Sequence, residues 1–363
     1  MMDLSFIMVP FFTGLVAFSL ALFHNVSAIN IESITVPGSI SSKSGYTADV
    51  VIKRLVDRMR TIELEAGTRA DAKQVMVKDK GGSAAVLGDF FNLTPMLRVV
   101  QTSFGLIPYT FSGEIVVNGN ELEMVLRGSD DRHKETLIRE SSDLGDVPGL
   151  IDKVAYEAVR MVDPSIIASY QFKKDYLTHD FTPTEEVIRR ALALDDKRPH
   201  KWVTNLWGIV LYQETDNEGA IEKFKQALEI DPTFASPLLN WGVVLARQGK
   251  YQEAIGKFMQ VVEKWNSGDH AENLAAAYSE WGFSLALLGH TDEAYAKFRQ
   301  ATEADPTFAD VYSSWAEVLS AAGQADNAQL MTARALRLAP VERVSTDNLI
   351  GRIQTLPAVA GRH

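Results

Sequence analysis

The 363-residue sequence contains no cysteine. That excludes disulfides, thiolate metal sites, iron–sulfur clusters and a cysteine nucleophile together. It also leaves no residue on which a bacterial lipid anchor could be built. Basic residues are few as well: 36 Lys and Arg stand against 47 Asp and Glu, for a net charge of −11. A nucleic-acid footprint needs a basic face, so this balance argues against one. Acidity favours solubility without naming a partner.

Recognisable chemistry is scarce too. The seven histidines stand singly, at 24, 133, 179, 200, 270, 290 and 363, and none has the HExxH spacing of a zinc hydrolase. There is no GxSxG elbow and no GxxxxGK[ST] phosphate loop, and "KGGSAAV" (80–86) reads as a connector within a loop over 78–86. Carboxylate pairs such as Asp130–Asp131, Glu185–Glu186 and Asp195–Asp196 suit solvated faces, and no run has the alternation of a calcium loop. The expectation is no cofactor, no metal and no catalysis.

One apolar run is long. Residues 4–23, "LSFIMVPFFTGLVAFSLALF", are twenty in a row without a charge, enough to span a bilayer core of about 30 Å. A transmembrane anchor is the first expectation. A secretory signal cut after "VSA" (26–28) is the alternative, though the run is long for one and "MMD" before it has no basic residue. The soluble part is expected on the periplasmic side of the inner membrane.

Residues 29–164 are not repetitive and predict a small α+β domain, with helices on one face of a short antiparallel sheet. "INIESITV" (29–36) alternates as a strand does. "GYTADVVIKRLVDRMRTIELEA" places Val50, Val51, Leu55, Met59 and Ile62 at helical spacing, and a second helix is expected over 93–105. The turn "NGN" (118–120) separates "TFSGEIVV" from "ELEMVLRG", a strong hairpin signal. A strand over 134–141 and a helix over 146–163 complete the domain. If this domain were an enzyme or small-ligand sensor, Arg98, Glu114 and Arg127 would have to converge on a pocket.

From about residue 165 the chain counts. Gly208, after Trp207, is followed by Ala220, Phe224, Ala227 and Pro232. Gly242, after Trp241, stands 34 residues on, with Ala254 and Phe258 at the same offsets but Asn266 in place of the terminal proline. Gly282, after Trp281, is 40 residues further, with Ala294, Phe298, Ala301 and Pro306. The fourth copy has Ala316 after Trp315, then Ala328, Thr332, Ala335 and Pro340. A period of this length marks a helical solenoid whose units bury their faces only by stacking. The small residues let the two helices of a unit approach closely, and the aromatic is expected to fill space beneath the next unit. "DPTF" (231–234, 305–308) ends a helix.

Spacing, small positions and terminal proline together resemble the tetratricopeptide repeat (TPR). Copies run over 201–234, 235–268, 275–308 and 309–342, after a degenerate one over 165–200 and before a capping helix over 344–356. Six extra residues lie between the second and third copies, around "WNSGDHAEN" (265–273). The layout of 29–164 resembles the juxtamembrane region of bacterial membrane-anchored proteins of this type.

The resemblance implies a concave groove lined by the first helix of each copy. Carried over, the lining is Trp202, Asn205, Ile209 and Tyr212, then Ser236, Leu239, Val243 and Ala246. Ala276, Ser279, Phe283 and Ala286 follow, then Asp310, Ser313, Glu317 and Ser320. Only Asn205 fits the family's carboxylate clamp, so a clamp is not expected. An apolar middle and an acidic far end suit a protein segment with apolar anchors and a basic end. The implied function is a scaffold or adapter for protein–protein interaction at the cell envelope. The alternatives are a groove filled by the chain's own helix and a self-associating surface.

Overall fold

Asn118 ends one strand and Glu121 begins the next, so the hairpin turn is only Gly119–Asn120. Gly119 sits at φ +63°, where a Cβ would be strained, which is why glycine stands there. The computed structural model describes residues 29–67, 109–130, 134–195, 197, 199–265 and 271–338. They divide into two compact units that part between Ile167 and Ala168.

The first unit is built on a four-stranded sheet in the order β1-β2-β3-β4. The strands are β1 (Ile29–Thr35), β2 (Tyr109–Asn118), β3 (Glu121–Asp130) and β4 (Glu135–Asp143). Helices α1 (Gly38–Ser44) and α2 (Ala48–Ala66) follow β1, and α3 (Val147–Val162) follows β4. The sheet is mixed, which corrects the antiparallel expectation: β1 runs parallel to β2. Parallel strands cannot be joined by a tight hairpin, which fits the distance in sequence between β1 and β2.

On α2, Val51, Leu55, Met59 and Ile62 are buried, while Val50 lies to the side of that face, exposed. Arg58 reaches Asp152 of α3 at 3.1 Å. Helix α3 packs on β3 and β4. A Cβ on Gly128 would meet the Met161 sulfur at 2.6 Å and the Phe111 ring at 2.7 Å, so this close crossing requires glycine. Asp146 caps α3 by accepting from the Gly149 N–H at 2.8 Å.

No helix among the described residues is long and apolar enough to cross a membrane. The run 4–23, the loop over 78–86, the helix expected over 93–105 and the capping helix over 344–356 lie outside the described residues.

The second unit is a row of helix pairs. They are α4 (Pro164–Tyr176) with α5 (Thr182–Leu192), α6 (His200–Gln213) with α7 (Asn217–Ile230), and α8 (Ser236–Arg247) with α9 (Tyr251–Trp265). Then come α10 (Ala271–Leu287) with α11 (Thr291–Ala304), and α12 (Ala309–Ala321) with α13 (Ala325–Leu338). One apolar cluster runs unbroken from Ala168 to Ala335. Even the degenerate opening pair is closed, by Phe172 stacked on Phe181 at 5.5 Å and by buried Asp175 accepting from the Thr184 N–H and hydroxyl.

Within a repeat, glycine and phenylalanine are partners. A Cβ on Gly208 would lie 2.4 Å from the Phe224 ring, and one on Gly242 2.5 Å from Phe258. The aromatic therefore packs on the glycine of its own repeat, not merely beneath the next one. The fourth copy changes both partners: Ala316 comes with the smaller Thr332. The extra residues before the third copy are partly helical, since α10 starts at Ala271, ahead of the copy boundary.

Candidate functional site

The first helices of successive repeats adjoin in order, α6 to α8, α8 to α10 and α10 to α12. Residues at a fixed offset therefore fall on one continuous face. Its middle is closed by packing. Asn205, Ile209, Ser236, Leu239, Val243, Ala246, Ala276, Ser279 and Phe283 are all buried. Trp202, Tyr212, Ala286, Ser313 and Glu317 are half-buried, and Asp310 and Ser320 are exposed. The surface left to a ligand lies at the two ends of the row more than in its centre.

Asn205 shows why. Its side-chain oxygen accepts from the Asn240 amide at 2.9 Å, in the buried seam between α6 and α8. It joins two repeats and is not aimed at solvent. Trp202 stands edge-on to Phe234 at 4.1 Å, with the Lys201 ammonium over both rings.

The second half of the face is charged. Glu280, in the middle of α10, is only 8% exposed, and its Oε2 has no hydrogen-bond partner. Burial pushes its carboxyl up to about 7; Arg247 of α8 opposes the rise, and Asp310 and Glu317 of α12 add to it. Burial also raises the Tyr212 hydroxyl, which feels Arg247 and Glu280 in turn. Glu317 was legible as a lining residue. Glu280 and Arg247 were not, although Glu280 is the one charge in "LAAAYSEWGFSLAL", a signal against the apolar pattern.

A second periodic feature joins the two helices in three of the repeats. Lys223 sits over Trp207 at 3.8 Å, Lys257 over Trp241 at 3.6 Å and Lys297 over Trp281 at 3.6 Å. Each lysine follows its tryptophan by 16 residues, and Met331 takes the place in the fourth copy. Burial lowers the Lys257 and Lys297 ammonium groups. The pairs close each repeat by cation–π contact with the lysine stem laid on the ring.

In the first unit, Glu114 and Arg127 pair with each other across β2 and β3 at 3.3 Å, both largely exposed. The third of that set, Arg98, lies outside the described residues. Among the described residues no cluster of His, Asp or Glu could hold a metal ion.

Residues 208–249 match the family model described as TPR repeat, and residues 233–307 the one described as tetratricopeptide repeat. Residues 208–307 are thus similar to tetratricopeptide repeats, units that bury their faces by stacking on neighbours. No curated protein matches the chain in sequence. Solved structures of similar fold include Pseudomonas aeruginosa PilF, 16% identical, covering 49% of this chain and 78% of that one, with a TM-score of 0.41. TTC0263, a thermophilic TPR protein of Thermus thermophilus, is 21% identical over 49% of this chain and 90% of its own, with a TM-score of 0.40. MamA (41-end) from Desulfovibrio magneticus RS-1 is 15% identical over 48% and 95%, with a TM-score of 0.37.

Proposed function

We propose that this protein is an adapter that holds a segment of a partner protein along the first-helix face of its repeats. The run 4–23 would keep it at the membrane, at the bacterial cell envelope with the soluble part on the periplasmic side. The observation that carries the reading is the ordered row of first helices, which turns residues at a fixed offset into one continuous surface. The buried centre shifts the expected contacts outward, to Trp202 and Tyr212 at one end and to Glu317 with Asp310 at the other. Amphipathic ligands laid into a groove gain most from a few anchors of this kind.

Photo-crosslinking in cells from positions 212 and 317 tests the reading, because both side chains are half-buried and reach the surface. One abundant adduct to the same partner from both positions is the expected result, and the partner's compartment then fixes the topology. Adducts only to the protein itself, or none, would sink the adapter reading.

A further inference from the structure

Trp241 of α8 is the one tryptophan among the described side chains that carries two lysines. Lys257 of α9 stands over its ring at 3.6 Å, and Lys225 of α7, in the preceding repeat, at 5.4 Å. Laid end to end, those distances put the two ammonium groups within about 9 Å of each other, close enough to repel in ordinary salt. The other lysines stacked on tryptophan have polar company. Lys201 pairs with Asp231 at 2.6 Å, Lys223 donates to Gln226 at 3.1 Å and Lys297 to Gln300 at 3.0 Å. Lys225 and Lys257 have no such neighbour, and no carboxylate pairs with either among the described residues. Burial lowers the Lys257 ammonium, and Lys225 lowers it further.

Closing the repeats does not need both charges. Lys223 already covers Trp207 in the first copy, so Lys225 is surplus to that contact and reaches forward to the next ring. In the second copy Met259 stands at the place of Lys225, and in the fourth Met331 at that of Lys257. An uncharged side chain thus serves the packing at either place, and the charge is left over. We infer that Lys225 and Lys257, held at Trp241, form an anion subsite that takes side-chain carboxylates from an acidic segment of a partner protein. Lys225 is exposed and Lys257 half-buried, so both reach solvent. The chain carries −11 overall, and a local reversal of sign selects an acidic ligand. A lysine stem laid on a ring has less rotamer freedom left to lose, so less order has to be imposed when the anion binds. The separation admits carboxylates on alternate residues of an extended chain, roughly 7 Å apart. The subsite is built on α7, α8 and α9 and does not require a ligand on the first-helix face.

The test uses the full chain and blocked glycine–serine peptides that carry a neutral fluorophore. Each holds two glutamates set one, two or three residues apart, and each has a twin with glutamine in their place. Fluorescence anisotropy at low salt should show at least one glutamate peptide binding about tenfold tighter than its twin, with the preference fading as salt rises. Lys225→Met and Lys257→Met, exchanges that other repeats already carry at those places, should each abolish the preference with circular dichroism unchanged. Lys223→Met, the same loss of charge at the neighbouring ring, should leave it intact. The subsite is refuted if every pair binds equally or not at all, if the preference survives Lys225→Met or Lys257→Met, or if Lys223→Met removes it too. A phosphoserine twin that binds more than tenfold tighter than the glutamate peptide would assign the place to phosphoryl groups and overturn the carboxylate reading. None of these results touches the adapter reading, which stands or falls on crosslinking from positions 212 and 317.

Discussion

Asp231 closes α7 with its N–H on the Ala227 carbonyl. Its carboxylate then takes the Lys201 ammonium at 2.6 Å and the Thr233 hydroxyl and N–H. Those bonds, Lys201's first, hold its carboxyl down at about 2. A depressed carboxylate stabilises the fold above its ordinary value of 3.8, and that contribution is lost as pH falls through about 2. Asp231→Asn should therefore destabilise the repeats by about 1 kcal/mol at neutral pH, allowing for screening near the surface. Denaturant melts should show that gap closing between about pH 4 and 2.

Glu280 works the other way. Its carboxyl is raised from 4.5 to about 7, so the folded chain keeps a proton that the unfolded chain has lost, and stability falls as pH rises between those values. Glu280→Gln should stabilise the protein by about 2 kcal/mol at pH 8 and leave it nearly unchanged at pH 4, as read by thermal melts. Equal gains at both pH values would mean the carboxyl titrates alike in the folded and unfolded chain. Of these two residues the first was legible, since Asp-Pro-Thr is a turn string on sight. The second was not: spacing says which face a residue shares, never how deep the neighbouring helices bury it.

Glycine against phenylalanine decides how closely the two helices of a repeat pack. The ring of Phe224 would lie 2.4 Å from a Cβ on Gly208, whereas that of Phe298 would lie 3.1 Å from one on Gly282. Alanine gains about 1 kcal/mol in helix propensity at either position. Overpacking a buried ring costs roughly 1–3 kcal/mol. Gly208→Ala should thus be destabilising and Gly282→Ala near neutral, a difference that urea midpoints resolve. Equal effects would show that the third repeat is packed as tightly as the first. These positions were readable because one spacing governs both partners. The Trp–Lys pairs obey a fixed spacing of 16 as well, but across two helices, where a lysine looks like any solvated residue. The pairing of β1 with β2 left no local trace, because a parallel partner is chosen by long-range packing and not by a turn.

At the scale of the molecule, the second unit is a one-dimensional stack, and this sets how damage spreads. Its apolar cluster is continuous from Ala168 to Ala335, yet each repeat touches mainly its neighbours. Stability in such an array is a sum of repeat and nearest-neighbour terms, so the position of a lesion matters as much as its size. Phe258, on α9, is fully buried near the centre of the row, while Val318, on α12, belongs to the last described pair. Phe258→Ala removes about 3–5 kcal/mol and Val318→Ala about 2 kcal/mol. Hydrogen exchange should accelerate on both sides of the first lesion, in α6–α7 and in α10–α11, because each side loses its shared interface. The second should accelerate exchange only from α12 onward. If Val318→Ala loosens the whole row as evenly as Phe258→Ala does, the repeats fold as one cooperative block. The ends of the first-helix face could not then be tuned separately, and a ligand anchored at Tyr212 would be felt at Glu317.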